Sequence, residues 1–443
     1  MTAWAKTRLT GWGRCLSAEG EAARPERLRE FTESVAQGGD SLIAYGAGRS
    51  YGDCALNSGG RHVMLGRLDR VLAFDRETGV IAVEPGVNFA RLLRDFLPRG
   101  FMVPVTPGTG FATIGGAVAN DVHGKNHELA GSLGQHVVEL EITLASGESR
   151  VISPDVEPAL FWATVGGIGL TGILTRIVFR MKRVGGSDVS VKKIRAPDLD
   201  NFLARLAEAQ NAPYTVGWID TTAQKAALGR GILEIGEETS SSLMRPSAKA
   251  RSIPVDFPGF VLNPLSIRAF NELYFRQVPE RGQERTMHWG QFLYPLDAIE
   301  GWNRMYGKRG FHQFQCAVPH EDGAKAVQKL MEEISQAGSA SFLAVLKRMG
   351  PGSGGYLSFP MAGYTLALDF PAGGAIAPLY RKLVKITKDF GGRVYLGKDS
   401  LLTAEEFQGM YPDLPAYLDV LAAVDPKHRF VSDMARRLRI FGR

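Results

Sequence analysis

The sequence predicts an α+β protein of two domains, and three observations carry that prediction. At 443 residues the chain exceeds what one hydrophobic core usually organises. From about residue 25 to residue 180, short apolar runs alternate with amphipathic segments and are broken by glycine-rich loops. Around Gly185-Gly186-Ser187 the pattern pauses, and strand-like runs then alternate with a few helical stretches, as over one sheet.

In the first region, Ser41–Tyr45 reads as a strand entering a glycine loop, and Val80–Glu84 as a strand and turn. Asn88–Leu97 places Phe89, Leu92, Leu93 and Phe96 at helical spacing behind an Asn suited to cap it. Gly115-Gly116 looks like a helix start. Val137–Leu144 alternates as a half-buried strand, turns through Ala145–Glu148 and returns at Ser149–Ser153. Leu160–Thr164 reads as a helix, followed after Gly166–Gly172 by the strand Ile173–Met181.

In the second region, Leu199–Gln210 reads as a helix. Strands are expected at Tyr214–Trp218, Thr286–Leu293, Gln313–Val318, Phe342–Lys347 and Tyr364–Phe370, and helices at Gly323–Ala337 and Ile376–Phe390. From about Glu237 to Pro264 the chain is rich in Ser, Pro and Gly without periodicity. That pattern fits a functional lid or an inert surface insertion.

Composition narrows the class. Hydrophobic content of 44% and charged content of 22% are ordinary for a soluble globular protein, and a net charge of +6 is mild. No basic-aromatic interleaving points to nucleic acid. Arg436, Arg437, Arg439 and Arg443 form a C-terminal cluster that fits either a solvated helix end or a patch for anionic headgroups. Cys15, Cys54 and Cys316 lie too far apart for a metal motif or a disulfide framework. The start lacks a signal-peptide core, and no apolar run approaches the ~20 residues of a membrane span. A reducing compartment, the cytoplasm, is expected, with peripheral contact to a membrane compatible.

Two loops carry the chemistry. The first is Gly46-Ala47-Gly48-Arg49-Ser50-Tyr51-Gly52-Asp53. The second runs from Thr106 through Gly108 and Thr113-Ile114-Gly115-Gly116 to Asn120-Asp121-Val122-His123-Gly124-Lys125. Glycine permits close backbone approach, and successive free amides hold anions. Both loops together point to a large diphosphate cofactor with chemistry at its far end. In the first loop the third glycine comes one position late for the G-x-G-x-x-G fingerprint, which weakens a simple NAD-dehydrogenase reading.

His123 offers proton shuttling near neutral pH, and Lys125 a hold on an anion. Lys398, in Gly397-Lys398-Asp399-Ser400, follows a strand and fits a cation beside a redox ring or a solvated loop lysine. Gln313 and Gln315 share one strand face, which suits sugar hydroxyls or an exposed polar sheet face. Trp218 suits ring stacking or the core, and Lys347 a phosphate contact or a plain strand end.

Residues Ala44–Cys54, the Thr106–Thr109 loop, Gly115-Gly116 and His123–Asn126 resemble the FAD-binding domain of vanillyl-alcohol-oxidase-type flavoproteins. Within that group, Arg8–Arg14, Gly48–Asp53, Leu160–Gly167, Gly169–Gly172, Trp302-Asn303, Leu357–Pro360, Lys398–Ser400 and Ser432–Arg437 resemble the decaprenylphosphoryl-β-D-ribose 2′-oxidase family. The likeness spans nearly the whole chain and is poor over Glu237–Pro264.

The resemblance implies a split FAD-binding domain with an inserted substrate domain built on an antiparallel sheet. The parts would be residues 1–185, 186–392 and 393–443. It implies FAD contacts at Ala44, Tyr45, Gly46, Ala47, Gly48, Arg49, Ser50, Tyr51, Gly52, Asp53, Cys54, Gly108, Thr113, Ile114, Gly115, Gly116, Asn120, Asp121, Val122, His123, Ile173, Leu174 and Tyr395. Arg49 stands where flavin-linked members carry a histidine, so non-covalent FAD is expected. Lys398 and His123 are the implied catalytic residues. Lys125, Trp218, Gln313, Gln315, Lys347, Thr365 and Ala367 are the implied substrate contacts. Ala367 replaces a family cysteine and Leu293 a family tyrosine.

The implied reaction oxidises the 2′-hydroxyl of a polyprenylphosphoryl-β-D-ribose to a ketone. An NADH-dependent short-chain reductase partner would complete epimerisation to the arabinose form. Two alternatives stand beside it: an oxidase of a free alditol or aldonolactone, and a non-catalytic flavin-carrying scaffold.

Overall fold

A computed structural model describes residues 3–37, 39–239, 251–253, 255–258, 261–338, 341, 343–374 and 376–442. Near the N-terminus, strand Leu42–Tyr45 lies parallel to Arg61–Met64, which lies parallel to Ser17–Ala23. Ser17–Ala23 pairs antiparallel with Ala5–Thr10 on its other edge. A five-stranded antiparallel sheet follows, in the order Val71–Phe74, Val80–Val83, Ile173–Arg180, Val137–Thr143, Ser149–Ile152.

The helix expected after Asn88 runs Phe89–Phe96. The Asn88 side chain accepts from Arg91 N–H at 2.8 Å, and Phe89, Leu92, Leu93 and Phe96 are buried. The short helix Ile114–Ala119 is capped by Thr113, whose hydroxyl accepts from Gly116 N–H at 3.3 Å.

The second region is an eight-stranded antiparallel sheet. Its order is Gln283–His288, Asp188–Ala196, Gly231–Glu238, Tyr214–Ile219, Ala344–Met349, Gly363–Pro371, Phe311–Pro319, Arg393–Val394. Helices Leu199–Glu208, Gly323–Gln336 and Ile376–Asp389 share one core with its strands: Phe202, Leu206, Leu330 and Leu383 meet Leu233, Phe314, Cys316, Leu346, Leu366 and Leu368. Strand side chains alternate between faces. The intervening residues Glu234, Gln313, Gln315, Lys347, Thr365, Ala367 and Asp369 therefore point the other way, towards the glycine loops. That one alternation builds half of the site.

Two expectations are corrected. The strand expected over Thr286–Leu293 is a strand only at Gln283–His288. His288 Nδ1 then accepts from Gly290 N–H at 3.0 Å and starts the helix Trp289–Leu293, which buries Trp289, Phe292 and Leu293. The aperiodic Glu237–Pro264 stretch begins inside the strand Gly231–Glu238 and ends at the helix Pro264–Arg276. That helix is capped by Asn263 with Pro at its first turn. Residues 240–250, 254, 259 and 260 lie outside the described residues, as does Phe342 of the expected strand Phe342–Lys347.

After Val394 the chain leaves the large sheet and returns to the first one. Leu42 N–H donates to Arg429 O at 2.9 Å, and Val431 N–H donates to Leu42 O at 3.0 Å. In the helix Asp433–Arg437, Arg437 pairs with Asp53 at 2.7 Å and Asp399 at 2.9 Å. Arg436 pairs with Asp433 and also donates to Asn57 Oδ1 at 2.7 Å. Arg437 is thus engaged inside the fold, whereas Arg436 and Arg439 stay exposed at the end of this helix. Among the described residues no helix is long and apolar enough to cross a membrane.

Candidate active site

A cavity of about 790 Å³ lies between the glycine loops and the polar face of the large sheet. Its loop side is made by Ala44–Gly52, Gly108, Thr113, Gly115, Gly116 and Asn120. Gly48 has φ +62°, a left-handed conformation that lets the loop turn under the cavity. At Gly115 a Cβ would stand 2.7 Å from Pro85 Cβ, so only glycine lets the short helix start this close to the neighbouring turn.

This wall fits FAD. The loop brings main chain to the cavity with few side chains in the way, and at Gly108 nothing lies within 4 Å of a Cβ position. Three buried polar atoms that line it, Arg49 Nε, Asn120 Oδ1 and His123 Nδ1, have no hydrogen-bond partner among the described residues. Arg49 holds its guanidinium 4.3 Å from the Trp12 ring centroid. Tyr395, stacked on Phe359 at 4.7 Å, donates to Asn120 O at 2.9 Å and ties the C-terminal segment to the short helix.

The sheet side is polar and cationic. Lys398 Nζ lies 3.8 Å from the Tyr51 ring centroid. Gln313 Nε2 donates to Asp369 Oδ1 at 2.5 Å, and Tyr306 O–H donates to Asp369 Oδ2 at 3.3 Å. Burial lowers the Lys398 ammonium pKa and raises that of the Asp369 carboxyl, while their mutual attraction opposes both shifts. Gln315 Nε2 lies 2.9 Å from His123 Nε2 and donates to Thr365 Oγ1 at 3.2 Å. Burial first, then the Lys347, His127 and Lys398 charges, hold His123 well below its ordinary pKa, so it is neutral at physiological pH.

Two further ammoniums converge there. Lys347 Nζ donates to Gly124 O at 3.2 Å. Burial, with repulsion from Lys125 and Lys398, lowers its pKa to about 7. Lys125 Nζ donates to Phe292 O at 2.5 Å and lies 3.9 Å from Glu234; burial lowers its pKa to about 8.

All the expected catalytic and substrate-contact residues line this one cavity: His123, Lys398, Lys125, Trp218, Gln313, Gln315, Lys347, Thr365 and Ala367. Lys347 sits inside the strand Ala344–Met349 rather than at a strand end. Leu293, Val122, Leu174 and Tyr395 also line it.

Four expected cofactor contacts do not. Ile114 and Ile173 are buried in apolar clusters. Asp53 is engaged by Arg437. The Asp121 carboxylate accepts from Ser132, Ser353 and Ser358 hydroxyls and from Gly134 N–H. Each belongs to a stretch whose neighbours reach the cavity, and sequence alone does not say which side chains turn inward. Sequence reasoning missed Asp369 and Glu234, although both continue the period-2 faces of Thr365–Ala367 and of the strand Gly231–Glu238. It also missed the cavity wall from the helix Pro264–Arg276: Ser266, Ile267, Phe270 and Tyr274.

A glycine-lined wall facing a lysine-rich sheet, split by an inserted domain, defines an FAD-dependent oxidoreductase of the vanillyl-alcohol-oxidase type. Residues 21–153 match the FAD binding domain family, and residues 300–438 match the D-arabinono-1,4-lactone oxidase family. The chain is 36% identical to decaprenylphosphoryl-β-D-ribose oxidase of Mycolicibacterium smegmatis, over 98% of this chain and 97% of that protein. It is 34% identical to an uncharacterised protein of Streptomyces coelicolor, over 80% of this chain and all of that one. It is 22% identical to L-gulono-1,4-lactone dehydrogenase of Mycobacterium tuberculosis, over 96% and 97%. The chain belongs to the decaprenylphosphoryl-β-D-ribose oxidase family, and its cofactor is FAD.

Proposed function

We propose that this enzyme oxidises the 2′-hydroxyl of a polyprenylphosphoryl-β-D-ribose to the 2′-ketone. The observation that carries the reading is the placement of Lys125, Lys347 and Lys398, with Gln313 and Gln315, in the cavity that the glycine loops wall. Neutral amides suit ribose hydroxyls, and two ammoniums away from Lys398 suit the phosphodiester. Bound FAD supplies the hydride acceptor for C2′. Gly46–Ser50, Gly108, Gly116 and Asn120 hold it, without a covalent link, since Arg49 offers no nucleophilic ring nitrogen.

Lys398 orients the reacting hydroxyl and stabilises the developing alkoxide. Lys398 in its neutral form takes the hydroxyl proton at Nζ as the C–H bond breaks, and the ammonium so formed faces the new carbonyl oxygen. Neutral His123, fixed by Gln315, holds its ring against the reacting end as a hydrogen-bonding group, not as a cation. The small Ala367 leaves room beside the sugar. Residues 1–185 with 393–443 form the FAD-binding part on this reading, and 186–392 the substrate part.

The ketone is half of an epimerisation. An NADH-dependent short-chain reductase is the partner that completes it, and the enzyme works in the cytoplasm at a membrane surface that holds the lipid. The match of residues 300–438 to lactone oxidases favours a second reading, oxidation of a free aldonolactone or alditol.

Anaerobic titration separates the two. Polyprenylphosphoryl-ribose bleaches the visible flavin band on the first reading, and soluble lactones or alditols on the second. Lys398→Ala keeps its flavin but slows bleaching at least about a hundredfold. Bleaching by polyols alone, or a near-normal rate in Lys398→Ala, overturns the assignment.

A further inference from the structure

The cavity wall contributed by the helix Pro264–Arg276 has a second face. Ser266, Ile267, Phe270 and Tyr274 line the cavity, and Asn271 anchors the helix by donating to buried Asp220 Oδ1 at 2.7 Å. On the outward face, at spacings of three, four and eight, stand Leu265, Arg268, Ala269 and Leu273. Leu265 is 78% exposed and Leu273 72%. Phe270, 46% exposed, and Ile299, 38% exposed, belong to the cavity lining as well. The apolar surface is thus continuous from solvent into the cavity.

Arg268 lies between the two leucines on the helix, and Arg281 and Arg285 follow the helix in the chain. Arg268, Arg281 and Arg285 are exposed and have no carboxylate partner among the described residues. Of the acids around it, Glu272 is engaged by Arg230 and Arg276, Glu280 by Arg195 and Glu284 by Ser190, while Glu300 beside Ile299 is exposed. Exposed leucines beside unpaired arginines, on a helix of 13 residues, match a helix lying in a membrane interface rather than crossing it.

We infer that the outward face of the helix Pro264–Arg276 docks on an anionic bilayer and opens the cavity directly onto the lipid phase. Leu265 and Leu273 enter the acyl boundary, the arginines meet lipid phosphates, and Phe270 and Ile299 form the doorway through which an apolar tail passes. A protein surface is the other possible cover. The bilayer is favoured because the patch runs unbroken into a cavity proposed for a lipid-linked sugar. This inference rests on that reading for the substrate, but vesicle binding tests it separately.

The experiment uses the full-length, FAD-loaded enzyme with the double variant Leu265→Glu/Leu273→Glu. Both positions are exposed, so the fold tolerates the change. Binding is read by co-sedimentation with equimolar phosphatidylglycerol/phosphatidylcholine vesicles and with phosphatidylcholine alone. The wild type binds the anionic vesicles at least about tenfold more tightly than the neutral ones, and the variant loses that binding. Flavin bleaching by a short-chain, soluble phosphoryl-ribose stays the same in both proteins. Absence of wild-type binding, or equal binding by the variant, overturns the docking surface. So does a concentration-dependent dimer that the variant abolishes without any vesicle binding. Failure of the short-chain substrate to bleach either protein, with vesicle binding intact, overturns the substrate reading and leaves the surface standing.

Discussion

Lys347 shows how burial tunes a single group for its task. Its ammonium is held down to about pKa 7 mainly by the loss of water, and further by Lys125 and Lys398. A bound phosphodiester reverses that imbalance and favours the protonated form. The sign follows: below about pH 7 the free site already carries the proton, and above it each anion bound must bring one. Affinity for a phosphorylated substrate is therefore flat at low pH and falls by up to about tenfold per pH unit above pH 7. Lys347→Met lowers the affinity below pH 7 and removes the fall that starts near pH 7, leaving the fall that Lys125 adds above about pH 8, as equilibrium titration of the flavin spectrum at several pH values measures. His123 contributes no slope, because it is neutral on both sides of that range.

The short helix Ile114–Ala119 and the strands around Gln313 show what elements add to residues. Gly116 faces the cavity, and its missing Cβ would lie 3.2 Å from Thr113 Oγ1. Gly116→Val puts a branched side chain into the cavity wall that is proposed to hold the cofactor's diphosphate. The expected result is a folded protein with little bound flavin, read as the ratio of visible to protein absorbance. A full flavin complement would remove the loop from the cofactor site.

This loop was legible in the sequence because glycine clusters have few other uses, and the helix after Asn88 because cap and spacing agree. The helix Pro264–Arg276 was hidden by the aperiodic residues before it, although Asn263-Pro264 is a readable start. Thr286–Leu293 misled because strand and helix share one apolar run, and only the His288 ring bonding to Gly290 N–H divides them. Asp369 escaped notice because an acid on an apolar strand announces no partner, and its partner Tyr306 comes from a distant segment.

At the scale of the whole molecule, the C-terminal segment closes the architecture. Arg437 bridges Asp53 of the first glycine loop and Asp399 beside Lys398, so one guanidinium joins the cofactor wall to the reacting end. Arg437→Ala leaves two buried carboxylates facing each other, at a cost of about 3 kcal/mol. The check is the denaturant midpoint of the holoenzyme beside that of the wild type. The resemblance legible in Ser432–Arg437 located this segment, but charge alone did not separate Arg437, paired inside the fold, from exposed Arg436.

The bridge between Leu42 and the backbone around Phe430 joins positions nearly 390 residues apart. That edge of the first sheet stays unmatched during folding until residues 429–431 reach it. A chain truncated before Arg429 lacks that pairing, and its flavin content, read by visible absorbance, is expected to fall.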